Sequence, residues 1–193
     1  MKKVLSRIAA VFIPGLLILP VACVDSKTPE SQKEIASLYT SLETKDCQTL
    51  QVDEEIGNAT LSCPGTAGYG LYLLDDNMRQ SITIITPNRH EFPLNYWHVI
   101  TPYFSYLGKK AEWRVTLTNG TSKPIALIIQ VNAQVQKDVD AKPETKSYLA
   151  VAKITQKEIC VTDRIPLTAT AIEKARTAAE TATKKTCLEQ LPQ

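Results

Sequence analysis

The chain of 193 residues carries 22 Lys and Arg against 20 Asp and Glu, is 44% hydrophobic, and holds five Cys, seven Gly and eleven Pro. That composition suits one globular domain and excludes wholesale disorder, a collagen-like repeat and a polytopic membrane protein. A net charge of +2 is too balanced to hold a polyphosphate partner by bulk electrostatics, so nucleic acid is not expected as a ligand.

Lys2, Lys3 and Arg7 form a basic region ahead of an apolar run, Ile8 to Ala22, that is broken by Pro14, Gly15 and Pro20. The pattern predicts an export signal over residues 1–22. As a membrane span it is short: the uncharged stretch of about 17 residues lies at the lower limit for a hydrocarbon core and contains two prolines. Leu19-Pro20-Val21-Ala22-Cys23 resembles a bacterial lipobox, in which a small residue precedes the lipidated Cys. Pro20, however, stands where that pattern wants Leu. Two routes stay open, acylation of Cys23 or cleavage by an ordinary signal peptidase. Residues 23–31 are polar and too poor in apolar side chains to pack, which makes them a flexible tether if Cys23 is acylated and a frayed terminus if it is not. Residues 32–193 are expected to form a single globular domain. Removal of the three basic residues of the leader leaves 19 cations against 20 acids, so the domain itself carries about −1.

Within the domain, Pro29 to Thr44 reads as a helix, because Ile35, Leu38, Tyr39 and Leu42 have the spacing of one apolar stripe. Cys47, Cys63, Cys160 and Cys187 make an even set once Cys23 is set aside, and an even set in an exported chain predicts disulfides. Of the three pairings, Cys47 with Cys63 and Cys160 with Cys187 close local loops, each expected to gain about 3 kcal/mol from constraint of the unfolded chain. A four-Cys zinc site would need closely spaced Cys pairs, which are absent.

Cys63-Pro64-Gly65-Thr66-Ala67-Gly68 is turn chemistry, followed by strands over Tyr69 to Leu74 and Gln80 to Thr86 around the polar Asp75-Asp76-Asn77. A second hairpin is expected from Trp113, Val115 and Leu117, through a turn at Asn119 to Pro124, into Ile125 to Val131. Gln134 to Lys146 reads as an exposed loop, and Tyr148 to Ile154 and Glu158 to Val161 as further strands, with Cys160 near the end of the last. Thr170 to Cys187 is rich in Ala, Glu, Lys and Arg and reads as a helix, opened by a capping box at Thr170-Ala171-Ile172-Glu173. Its packing face would be Ile172, Ala175, Ala179, Ala182 and Thr186, a narrow stripe of mostly small residues that needs the Cys160 bond to clamp it. The fold class expected is α+β: an antiparallel sheet packed by a C-terminal helix, with a short N-terminal helix and two disulfides.

A resemblance rests on Cys63-Pro64-Gly65 with Gly68-Tyr69, Asp76 with Arg79, Glu112-Trp113-Arg114, Lys123 to Ile128, Cys160, Ala175-Arg176 and Cys187. In this order they are similar to a family of small, uncharacterised exported proteins of Gram-negative bacteria, over roughly Tyr39 to Cys187. Asp76-Asn77-Met78-Arg79 departs from that family's Asp-x-Arg, and Ala179-Glu180 from its Ala-Asp. The resemblance implies the same cysteine pairing, a strand-rich core with a terminal helix, and a periplasmic or outer-membrane lipoprotein location. It implies no activity.

The catalytic inventory is thin. His90 and His98 are the only histidines, eight residues apart, and strand and helix periodicities do not place such a pair on one face as metal ligands. No Gly-x-Ser-x-Gly elbow accompanies His98 and the nearby acids Asp75 and Asp76, and consecutive acids such as Asp53-Glu54-Glu55 read as solvated turns. No catalytic residue, metal ligand or cofactor is assigned. Asn58-Ala59-Thr60 and Asn119-Gly120-Thr121 match glycosylation acceptors but read as incidental in a bacterial chain.

Seven of the twelve aromatics fall between Phe92 and Trp113. Most of them are expected in the core, Trp113 among them. Trp97 and Tyr103, in a Pro-containing stretch, are the candidates for exposure, and with Arg114, Lys109 and Lys110 nearby they form a candidate binding surface for peptidoglycan or an envelope protein. The function expected is a non-enzymatic periplasmic or envelope-attached binding protein, touching the membrane only through a lipid on Cys23. The alternative is an envelope hydrolase acting on glycan or peptide through its carboxylates or His98.

Overall fold

A computed structural model describes residues 34–136, 138 and 140–192. The export signal, Cys23 and the tether, and the first residues of the expected N-terminal helix, lie outside the described residues. The described residues belong to one compact unit built on a ten-stranded sheet. β1 (Glu34–Ser41) and β2 (Gln48–Asp53) flank a single 3-10 turn at Thr44–Asp46, and β3 (Asn58–Cys63), β4 (Gly70–Asp76), β5 (Arg79–Ile85) and β6 (Glu91–Pro93) follow. A one-turn helix α1 (Tyr96–Val99) leads into the long strands β7 (Ser105–Thr118), β8 (Thr121–Val135) and β9 (Glu144–Ile154). β10 (Ile159–Pro166) and α2 (Ala171–Thr181), which runs on into a 3-10 turn at Ala182–Lys184, complete the chain.

The sheet has two halves. One is the meander β2-β3-β4-β5 with β6 on its end, and the other is β10-β9-β8-β7 with β1 beside β7. They join through a single parallel bridge, Arg79 to Ser105, while every other pairing is antiparallel. Residues at period two from both halves enclose one core: Leu61, Leu71, Leu73, Ile82 and Ile84 from the first, Trp113, Val115, Leu127, Ile129, Val131 and Ala152 from the second. Trp113 is fully buried, its ring centroid 6.2 Å from that of Tyr69, and its indole N–H donates to Thr40 Oγ1 at 3.0 Å. The opposite face of the second half, Ala126, Ile128, Leu149 and Val151, is covered by α2.

The antiparallel sheet, the C-terminal helix and both disulfides are as expected; the N-terminal helix is not. Residues 34–41 form β1, hydrogen-bonded along β7 from Glu34 opposite Leu117 to Ser41 opposite Lys110. The helical spacing of Ile35, Leu38, Tyr39 and Leu42 is real, yet a partner edge distant in sequence decides the conformation, as tertiary pairing commonly overrides local pattern. β2 and β3 were not apparent in the sequence, because Gln48–Asp53 and Asn58–Cys63 are mostly polar or small. β8 and β9 run on to Val135 and back to Glu144, so the exposed loop is shorter than Gln134 to Lys146. β8 starts directly after Asn119-Gly120, which adopt positive φ of 49° and 75°, and Pro124 sits inside the strand beside a register shift that relieves its missing N–H.

Cys160 is the second residue of β10 and not near its end, and β10 extends to Pro166. Helix α2 is shorter than Thr170 to Cys187. Thr170 makes no side-chain cap hydrogen bond, so the capping box does not form. Its packing face is Ala171, Ala175, Ala179 and Ala182, all fully buried, while Ile172 is 53% exposed. The disulfides join Cys47 to Cys63 and Cys160 to Cys187, with Cα–Cα distances of 4.3 and 5.7 Å. Paired cysteines of this kind belong to an oxidising, non-cytoplasmic compartment. No described helix is long and apolar enough to cross a membrane.

Candidate functional site

Trp97, Tyr103 and Arg114 of the expected binding surface part company. Arg114 is only 8% exposed and lies under α2: one guanidinium nitrogen donates to Ser37 Oγ and another to Glu180 Oε1 at 2.7 Å. Alternation along β7 puts Trp113 into the core and Arg114 on the opposite, helix-covered face. There Glu112 accepts from Ser37 at 2.6 Å and from Arg176 Nε at 2.7 Å, a hydrogen bond that holds the Arg176 guanidinium above its ordinary pKa. Arg114 therefore docks the helix and offers nothing to a ligand. Tyr103 is exposed on the loop between α1 and β7, its backbone N–H bonded to Thr101 Oγ1, and is not among the residues that line the groove at Trp97.

Trp97 is where the residues converge. α1 is anchored over β5, with Tyr96 N–H donating to Ser81 Oγ at 3.1 Å, and the next residue, Trp97, walls a groove of about 260 Å³ on the outer face of the first half-sheet. Cross-strand register builds the floor. Gln51 lies opposite Thr60 and Thr60 opposite Leu74, while Asn58 and Asp76 line the adjoining end. Among the described residues, neither the Gln51 amide nor the Thr60 hydroxyl is hydrogen-bonded within the protein. Asn58 spends its oxygen on Asn77 N–H at 3.0 Å and keeps its amide protons. Asp76 has only a loose ion pair, 3.8 Å to Arg79. An indole beside a loosely paired carboxylate, a hydroxyl and two amides offers an apolar ring and polar groups of both hydrogen-bonding senses.

Two of the acids weighed for catalysis, Asp75 and Asp53, have other work. Asp75 accepts from Met78 N–H at 3.1 Å and Gln80 Nε2 at 3.0 Å, closing the β4–β5 turn, and Gln80 in turn accepts from Leu107 N–H at 2.9 Å. Asp53 Oδ1 accepts from Glu55 and Ile56 N–H in the β2–β3 turn. His90 and His98 are both exposed, and among the described residues no hydrogen bond or ion pair engages either imidazole; His98 meets only the Trp97 ring edge-on at 6.2 Å. Glu158, Cys160 and Cys187 bring three metal-type atoms within 4.8 Å of one another. Both sulfurs are oxidised to one disulfide, which removes the thiolates a metal would need.

A larger cavity, about 540 Å³, opens at the end of the core between Leu42, Leu61, Leu73 and Leu107. Its charged and amide rim groups are already engaged, Asp75 and Gln80 as above and Glu43 by Lys45 and Lys109 at 3.1 and 4.0 Å, which leaves only the hydroxyls of Thr44 and Tyr106. Size alone would choose it, but the free polar groups choose the Trp97 groove. Sequence reasoning singled out Trp97 and weighed Asp76, and missed Gln51, Asn58 and Thr60 as ligand groups. The signal that could have found them is the strand pattern of β2 and β3, which their polarity hides. Comparisons with protein-family models, curated proteins and solved structures give no match for this chain.

Proposed function

We propose that the protein is a non-enzymatic binding protein of the bacterial envelope and that the Trp97 groove takes a hydroxyl-rich ligand of the glycan class. The observation that carries this reading is the set of unspent polar groups, Gln51, Thr60, Asn58 and Asp76, arrayed beside one half-buried indole. A sugar ring has an apolar face for the indole and hydroxyls that both donate and accept, so it answers each of these groups. The groove is shallow and open, a form that suits part of a polymer better than an enclosed metabolite. Export and the disulfides support an envelope location, where peptidoglycan is the abundant glycan with carboxylates and amides of its own. A hydrolytic role has less support, because Asp75 is committed to a turn and His98 has no carboxylate or serine partner among the described residues.

The chain has two tryptophans, and Trp113 is fully buried, so any ligand-induced change of emission reports on Trp97. Soluble peptidoglycan fragments are expected to blue-shift that emission, and Trp97→Ala to lower co-sedimentation with insoluble peptidoglycan about tenfold, the worth of one good aromatic contact with its hydrogen bonds. Unchanged emission together with undiminished sedimentation of Trp97→Ala would discard the groove as the glycan site.

A further inference from the structure

We infer that a second groove, between the start of α2 and the face of the second half-sheet on which it packs, binds a small carboxylate with an apolar body. This does not rest on the Trp97 reading. The groove encloses about 230 Å³. Its floor comes from the register: Tyr39 pairs with Glu112 and Glu112 with Ile128 in one cross-strand row, and Gln130 pairs with Leu149 in the next. The alanine face of α2 covers this floor, leaving Ile128 and Leu149 only 5% and 7% exposed, and the groove opens at the edge of that cover beside Ala175.

The walls are apolar where a surface would ordinarily be polar. Ile172 is the one large apolar residue of α2, and it turns not onto the sheet but to this groove, 53% exposed. Leu167 ahead of the helix and Tyr39 on β1 close the other sides at 43% and 53% exposure. Three half-exposed apolar side chains around one concavity form a patch that excludes water only when filled.

Charge at the mouth selects the filling. Glu112 is neutralised by Arg176, which donates to both of its oxygens at 2.7 and 3.4 Å. Lys110, two residues before it on the same face of β7, has no hydrogen bond or ion pair to a described residue. One positive charge is left over. The Tyr39 hydroxyl accepts from Arg176 Nη2 at 2.7 Å, so its own proton is free to be donated outward. One ammonium and one hydroxyl proton match the two oxygens of a single carboxylate. The volume lies below the roughly 300–1,000 Å³ of sites for drug-sized ligands, which limits the apolar body to a short acyl chain or one side chain.

Hexanoate is the probe, with hexanamide as its uncharged counterpart, titrated into the full chain while backbone amide resonances are followed. Hexanoate at millimolar concentration is expected to shift resonances around Lys110, Ile128 and Ile172, and hexanamide to bind about fivefold more weakly for want of the charge-assisted contact. Lys110→Gln should bring hexanoate down to the level of hexanamide, and Lys157→Gln, which removes the same charge at the β9–β10 turn, should not. Ile172→Ser should weaken both probes alike. It touches no core contact, so a folded spectrum is expected alongside the loss. A peptide ending in Leu, run beside hexanoate, separates a protein terminus from a free acid by which binds tighter. Equal binding of hexanoate and hexanamide, hexanoate binding indifferent to Lys110→Gln, or no shift near Ile172 would overturn the assignment.

Discussion

Gly65 is the residue on which the Cys63-Pro64-Gly65 turn depends. A Cβ there would lie 2.1 Å from Tyr69 O and 2.6 Å from its carbonyl carbon, both backbone atoms, so no side chain can move aside to admit it. The close return of the chain lets Tyr69 N–H donate to Thr66 O at 2.9 Å and presents the Tyr69 ring to Trp113. Gly65→Ala is expected to cost about 2 kcal/mol or more, through forced movement of Tyr69 off the indole, read as a lower denaturation midpoint. Gly120→Ala is no substitute for this test, for that glycine has open space around its Cβ position and a strained φ of 75° instead. The turn was legible in the sequence; the reason for its glycine was not, because the atom that forbids a side chain belongs to a residue four positions on. Trp97 was legible as an aromatic in an irregular stretch. Its polar companions were not, since they reach it only through strand register.

At the scale of elements, α2 is held by unusual means. Alanines bury little apolar area, and polar contacts add to the attachment: the ion pairs Arg114 with Glu180 and Arg176 with Glu112 on the helix, and beyond its end Lys185 with Asp163 and the disulfide from Cys160 to Cys187. The ion pair to Glu180 joins a buried guanidinium to a carboxylate 43% exposed, so it orients the helix more than it stabilises it. The double variant Cys160→Ser with Cys187→Ser is expected to lose about 3 kcal/mol, from release of a 27-residue separation in the unfolded chain. Amide exchange should rise first in Ala171–Thr181 and leave β7 and β8 protected; uniform acceleration would show that the helix does not open on its own. The composition of this helix announced it and the alanine stripe was visible, but the outward turn of Ile172 was not, because periodicity alone counts a large apolar residue as inward. β1 is the reverse case. Its stripe of Ile35, Leu38, Tyr39 and Leu42 satisfies a helix, and only the free edge of β7 explains the strand.

For the molecule as a whole, two half-sheets joined by one parallel bridge need closure at the far side of the core. Tyr96 takes part in it, fully buried with its ring among Leu94, Ile100 and the sheet side chains. Burial pushes its phenol far above the ordinary 10.0, and Tyr69, half-buried against Trp113, is pushed the same way. The folded chain thus keeps these protons more tightly than the unfolded chain does. That stability is complete below pH 10 and drains away as the pH climbs above it, toward the raised values. Alkaline unfolding is expected to begin near that point, and Tyr96→Phe to carry the transition to higher pH in a titration followed by circular dichroism. An unmoved transition would assign the alkaline limit elsewhere. The closing contacts extend to the end of the chain, where Leu188 N–H donates to Val161 O at 2.8 Å and Leu191 N–H to His98 O at 2.7 Å.

The two disulfides pair the four cysteines in the order of their occurrence, and neither loop encloses or crosses the other. For a chain threaded amino end first into an oxidising space, order of occurrence is order of arrival. Cys47 meets Cys63 while Cys160 is still to come, and the later pair finds no competing thiol from the earlier one. Where Cys23 is acylated or removed with the leader, an oxidant that joins each newcomer to its waiting neighbour therefore writes the native bonds at the first attempt, with no reshuffling to follow. The arrangement makes a proofreading isomerase dispensable for these four cysteines, which non-consecutive pairing would have required.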